Sequence, residues 1–189
     1  MTDAPDEFPG SIRAVIPHPF GGAVAIAGFP GLDVGVDGAA VFDPALCRQT
    51  VQGLRDYGAQ GLTVLVERDE LDQHGFDLLE ATCVEAGMPL AYCAIADFSV
   101  PEAAMAAKWS AGRAARKVQL QSGATLAFCC QHGAGRSGLM AALCLMDAGL
   151  GAQAAIETVR SHFDEAIESP EQESWLASRS SASEDDRPA

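Results

Sequence analysis

Leu126-Ala127-Phe128-Cys129-Cys130-Gln131-His132-Gly133-Ala134-Gly135-Arg136-Ser137-Gly138 reads as a buried strand, a glycine-containing loop and the start of a helix. A short apolar run bounded by turn residues marks a strand covered on both faces. The glycines let successive backbone N–H groups curl toward one point. The helix that follows adds unpaired N–H groups and the positive end of its dipole, so the stretch suits an anion. A thiol at the head of the loop, Cys130, lies in the same field, which favours thiolate. Arg136 brings a planar fork matched to two phosphate oxygens. Cysteine, five residues, arginine and serine are together equipped to attack phosphorus.

Upstream, Ile12 to Ile16 and Ala23 to Ala27 read as short strands joined by an HPFGG turn, followed by a Gly- and Asp-rich loop through Gly38. Asp43-Pro44 is a helix start, an N-cap acceptor followed by proline at the first helical position, and Leu46, Val51 and Leu54 carry that helix to Tyr57-Gly58. Leu62 to Val66 is short and β-branched enough for a parallel strand. A helix over about Phe76 to Ala86 stops at Gly87, and Leu90 to Ile95 is the next strand. One long helix is expected over about Glu102 to Gln121, before the strand Thr125 to Cys129. Helices over about Arg136 to Ala148, Ala152 to Phe163 and Pro170 to Ala177 complete the chain. Strands alternating with helices predict a single-domain α/β sandwich with a central, largely parallel sheet flanked by helices. Residues 1–10 and 178–189 read as flexible ends, leaving 11–177 as the catalytic domain.

The 189 residues, 48% hydrophobic and 20% charged, are enough for one core without metals or disulfides. A formal charge of −14 argues against nucleic acid or an anionic membrane as partner, since both are bound through clustered Lys and Arg. The six cysteines (47, 83, 93, 129, 130 and 144) sit mostly in apolar stretches, as buried thiols of a reducing cytoplasm do. The N-terminus lacks the basic and apolar regions of a signal peptide. His18, His74 and His162 show no spacing for a metal site.

Cys130 to Ser137 resembles the C-x5-R-[ST] signature of the protein tyrosine phosphatase superfamily, and CQHGAGRSG keeps the G-x-G-R-S-G ending common there. One departure is Cys129, where many members carry histidine. Ile95-Ala96-Asp97-Phe98-Ser99-Val100-Pro101 resembles the acid loop of the dual-specificity branch. The resemblance implies the cysteine phosphatase fold, with Cys130 as nucleophile, Asp97 as general acid and Arg136 as phosphate clamp. It implies that Ser137 donates to the cysteine sulfur. Gln131, His132, Gly133, Ala134 and Gly135 would form the binding loop, with His132 toward its rim. Ala166 to Gln172 looks like the late loop that orients water, with Glu168 in place of its first glutamine and Gln172 as the second. No cofactor or metal is implied.

Glu67 or Glu70, beyond the strand Leu62 to Val66, could fix the Arg136 fork, although surface acidity explains them as well. Cys129 reads as a buried strand residue. A monomer acting on a phosphorylated protein, on phosphotyrosine with phosphoserine or phosphothreonine possible, is the expected function. A phosphatase of a small phosphorylated metabolite, a phosphate-binding module without turnover and a rhodanese-like sulfurtransferase stay open.

Overall fold

The computed structural model describes residues 8–35 and 39–184. In chain order the elements are β1 (Ile12–Pro17), β2 (Ala23–Ala27), β3 (Leu32–Val34), β4 (Ala40–Phe42), α1 (Pro44–Asp56), β5 (Ala59–Val64) and α2 (Gln73–Ala86). They continue with β6 (Leu90–Tyr92), α3 (Ala103–Ala111), α4 (Arg113–Gln121), β7 (Thr125–Cys129), α5 (Gly135–Asp147), α6 (Ala152–His162) and α7 (Pro170–Glu184).

Five strands form one sheet in the order β1-β2-β7-β5-β6, in which only β1 runs antiparallel to its neighbour. β7 is the middle strand, with Ala27 of β2 and Val64 of β5 in register with its last residue, Cys129. Three parallel strands therefore end together where the chain enters the loop at Cys130, the edge at which α/β proteins place ligands. α5 packs on β2 and β7, α6 on β1, and α1 on β1 and β5. Leu139, Met140, Ala141 and Ala142 of α5 are wholly buried, which fixes the helix that follows the loop.

Local chemistry sets the boundaries. Asp43 Oδ1 accepts the Ala45 N–H at 2.7 Å with Pro44 at the first helical position, as the sequence predicts. Gly87 ends α2 in the left-handed conformation, φ 63°. α2 begins before Phe76 because Asp72 caps it, accepting the His74 N–H at 2.8 Å. The helix expected over Glu102 to Gln121 is broken at Gly112, whose ψ of −2° departs from helix geometry and whose missing side chain weakens a helix interior. Trp109 of α3 holds the pair on the sheet against Phe128, ring centres 5.9 Å apart.

β3 and β4 form a separate antiparallel hairpin where the sequence predicts loop; three-residue strands show too little alternation to stand out. Part of that loop, residues 36–38, lies outside the described residues. β5 starts earlier than Leu62, and β6 ends at Tyr92 instead of Ile95, although Cys93 and Ile95 still donate to Val64 and Leu65 at 2.9 Å. At the ends, Phe8 packs edge-on against Tyr57, and α7 runs on past Ala177 to Glu184. Of the ends expected to be flexible, 1–10 and 178–189, residues 1–7 and 185–189 lie outside the described residues. No described helix is long and apolar enough to cross a membrane.

Candidate active site

Cys130 leaves β7 with its N–H donating to the Ala27 carbonyl at 3.3 Å, and its Sγ accepts the Gly133 N–H at 3.3 Å. The turn is tight. Gly133 has φ 85°, and a Cβ there would lie 2.5 Å from the Gly28 nitrogen, so only glycine closes the loop at this point. The loop is tied down from outside, by Phe29 N–H donating to Gln131 O at 3.1 Å and Arg13 Nε donating to His132 O at 3.0 Å. The His132 side chain is exposed. Ala134 and Gly135 are buried, and Gly135 opens α5.

Among the described residues Arg136 is the largest fully buried side chain, 2% exposed. Its Nη1 and Nη2 donate to Glu70 Oε1 and Oε2 at 2.5 and 2.8 Å, and Nη1 also donates to the Ile95 carbonyl at 3.0 Å. Asp97 Oδ1 lies 3.0 Å from Nη2. Burial works against the guanidinium charge, but the Glu70 bonds and the fields of Cys130, Glu70 and Asp97 outweigh it and raise its pKa. Of the two acids beyond β5, Glu70 is therefore the partner of Arg136, and surface acidity does not explain it. Glu70 is itself oriented, since Oε1 accepts the Glu67 N–H at 2.8 Å.

Asp97 is 45% exposed, at the mouth of the loop. The Ser137 hydroxyl differs from expectation. It is buried and its hydrogen bond runs to the Ala27 carbonyl at 3.5 Å, not to the sulfur of Cys130. A carbonyl is the stronger acceptor for its one proton, and the same carbonyl takes the Cys130 N–H. Cys129 is a wholly buried strand residue. Burial, then the nearby Cys130, Cys83 and Cys47, push its thiol well above the usual range against a weaker pull from Arg136. The position before Cys130 thus holds a neutral thiol where histidine would offer a proton donor.

Gln172 is also buried, and its amide joins two loops: Nε2 donates to the Ser99 carbonyl at 3.1 Å and Oε1 accepts the Ser169 N–H at 3.4 Å. Glu168 reaches the loop directly, Oε2 accepting the Gly135 N–H at 2.7 Å. Neither that contact nor the choice of Glu70 over Glu67 had a signal in the spacing. His18, away from the site, uses both ring nitrogens inside the fold, Nδ1 accepting from Phe20 N–H at 3.2 Å and Nε2 lying 3.0 Å from Cys144 O. No cluster of metal-ligating side chains occurs among the described residues, and all six cysteines are free.

A mostly parallel sheet ending in a Cys-x5-Arg loop at a helix N-terminus is the fold of the protein tyrosine phosphatases and their dual-specificity branch. Among solved structures the chain is similar to a kinase associated phosphatase carrying serine for its catalytic cysteine, with TM-score 0.68 and 20% identity over 94% of this chain and 99% of that one. It is similar to Tk-PTP in its active form, TM-score 0.62 and 23% identity over 90% and 97% of the two chains. PTPMT1 in complex with PI(5)P matches with TM-score 0.58 and 17% identity over 84% and 90%. No family model matches the chain, and no curated protein matches it by sequence.

Proposed function

We propose that the chain is a cysteine-dependent phosphatase that hydrolyses phosphomonoesters through a phosphocysteine intermediate. In this reading Cys130 Sγ attacks phosphorus, the bond to the leaving oxygen breaks, and Asp97 gives that oxygen its proton. Water then attacks the phosphocysteine and passes a proton to Asp97. The S–P bond breaks, releasing inorganic phosphate and the thiolate. Arg136 and the loop amides carry charge on the equatorial oxygens throughout.

The observation that carries the reading is the junction of these groups on one guanidinium. Arg136 is clamped by Glu70 and lies 3.0 Å from Asp97, six residues after the thiol that heads its own loop. Protein phosphotyrosine is the favoured substrate, with phosphoserine and phosphothreonine beside it. The open mouth supports this, with Asp97 45% and Phe98 59% exposed, because a side chain of a folded protein can reach it. Residues 131–135 carry no lysine or arginine, which weighs against polyanionic lipid heads.

Hydrolysis of para-nitrophenyl phosphate tests the chemistry. Native chain should turn over, Cys130→Ser should be inactive, and Asp97→Ala should be slower by about 10²–10⁴. Inert native chain, shown to be folded and reduced, would sink the proposal. Phosphotyrosine peptides against phosphorylated small metabolites then rank the substrates.

A further inference from the structure

Among the described residues two other than glycine have positive φ, Phe98 at 55° and Ile167 at 63°. Each adjoins a carboxylate that reaches the loop, Asp97 on the Arg136 guanidinium and Glu168 on the Gly135 amide. A β-branched residue rarely takes this conformation, and such strain persists only where its surroundings hold it. The hold on Ile167 is visible. Its side chain is buried, its N–H donates to the Ala134 carbonyl at 3.4 Å, and Arg160 donates to the Ala166 and Ile167 carbonyls at 3.0 and 2.8 Å. The two carboxylate-bearing loops are also joined, Ser169 Oγ donating to Phe98 O at 2.9 Å and Gln172 Nε2 to Ser99 O at 3.1 Å.

Gly135 N–H lies at the positive end of α5, where the cap residue Ala134 offers no side-chain acceptor. A phosphoryl oxygen held by the loop would use that amide. Glu168 already does. Arg136, the buried cation at the end of the loop, already faces Glu70 and Asp97, so a third carboxylate beside a bound dianion would be repelled.

We propose that Glu168 is an internal anion that competes with the phosphoryl group for the Gly135 amide and must swing out before substrate fills the loop, thereby setting the affinity of the site. This rests on reading the loop as a phosphate site, but not on turnover. Loss of the charge leaves an amide that can still accept from Gly135 but gives it up more readily, because a neutral acceptor bonds about half as strongly as a carboxylate.

The test is sulfate binding by titration calorimetry in a Cys130→Ser background, which removes chemistry, comparing Glu168 with Glu168→Gln and Glu168→Ala. Both substitutions should tighten sulfate by about tenfold or more, a difference of ~1.4 kcal/mol. If Glu168 is only a helix cap, both variants melt earlier and bind sulfate no better than the parent, which overturns the proposal; so does sulfate bound by none of the three. If one variant fails to fold, the other decides. Sulfate that tightens as expected while native chain hydrolyses no phosphomonoester retires the phosphatase reading and leaves this one standing.

Discussion

Replacing Glu70 with glutamine removes one charge from the Arg136 fork and keeps its shape. The native guanidinium donates two charge-assisted bonds to Glu70, at 2.5 and 2.8 Å, while 2% exposed. Breaking a buried pair costs about 3–5 kcal/mol when the survivor is left alone. Here Asp97 and the Ile95 carbonyl remain on the same group, and the amide oxygen of the new side chain can accept one bond, so the expected loss is lower, about 2–3 kcal/mol at about 1.5–3 kcal/mol per charged bond. The freed fork also loses its aim at the substrate. With ~1.4 kcal/mol per factor of ten, kcat/KM for para-nitrophenyl phosphate should fall about 10²-fold. Urea unfolding and steady-state kinetics read the two effects, with Glu67→Gln as control because its side chain is not in the fork. Glu67→Gln should stay within about 0.5 kcal/mol of native, as surface substitutions do. The reasoning is refuted if Glu70→Gln keeps native stability within that margin and kcat/KM within about twofold, or if the control is the damaging change.

Two further outcomes are expected. Burial first of all raises the thiols of Cys47, Cys83, Cys129 and Cys144 above 9.0, Cys83 to about 12, so the folded state keeps protons that the unfolded state releases in alkali. Their contribution is therefore whole below about pH 8.5 and is lost as pH rises toward the folded values, at up to ~1.4 kcal/mol per pH unit per thiol. Urea unfolding under reducing conditions should show this slope, and Cys144→Ala should make it shallower by about one proton. Gly133→Ala should remove sulfate binding and activity together, since the Cβ would meet the Gly28 nitrogen at 2.5 Å with φ at 85°; a variant with native activity would show that the loop closes differently.

The parts legible in the sequence are those where one local feature decides. Cys130, Arg136 and their glycines share a single loop, Asp43-Pro44 is a self-contained cap, and Thr125 to Cys129 is a bounded apolar run whose ends the structure reproduces. What stayed hidden depends on the rest of the chain. Nothing near Glu70 distinguishes it from Glu67 until β5 and β7 lie side by side and aim it at Arg136 across 66 residues. Glu168 touches Gly135 only because Arg160 and Gly138 shape the turn before it. Ser137 turns to Ala27, 110 residues away, a partner that only the parallel pairing of β2 with β7 supplies. The break at Gly112 is concealed by strong helix formers on both sides, a case of summed propensity masking one weak residue.

The pairing of β2 with β7 also has a consequence for how the chain is made. β2 lies near the start and its parallel partner arrives about a hundred residues later, so during synthesis at ~5–20 residues per second β2 waits roughly 5–20 s for its neighbour. Through that interval the apolar strand Ala23–Ala27 has only β1 to cover one edge, and the other edge is open to pairing with foreign chains. The loop around Cys130 escapes this hazard in time, because it cannot take shape until β7 has docked. The Cys130 loop is thus shaped late in synthesis, and of the pair β2 and β7 the vulnerable strand is the one made earlier.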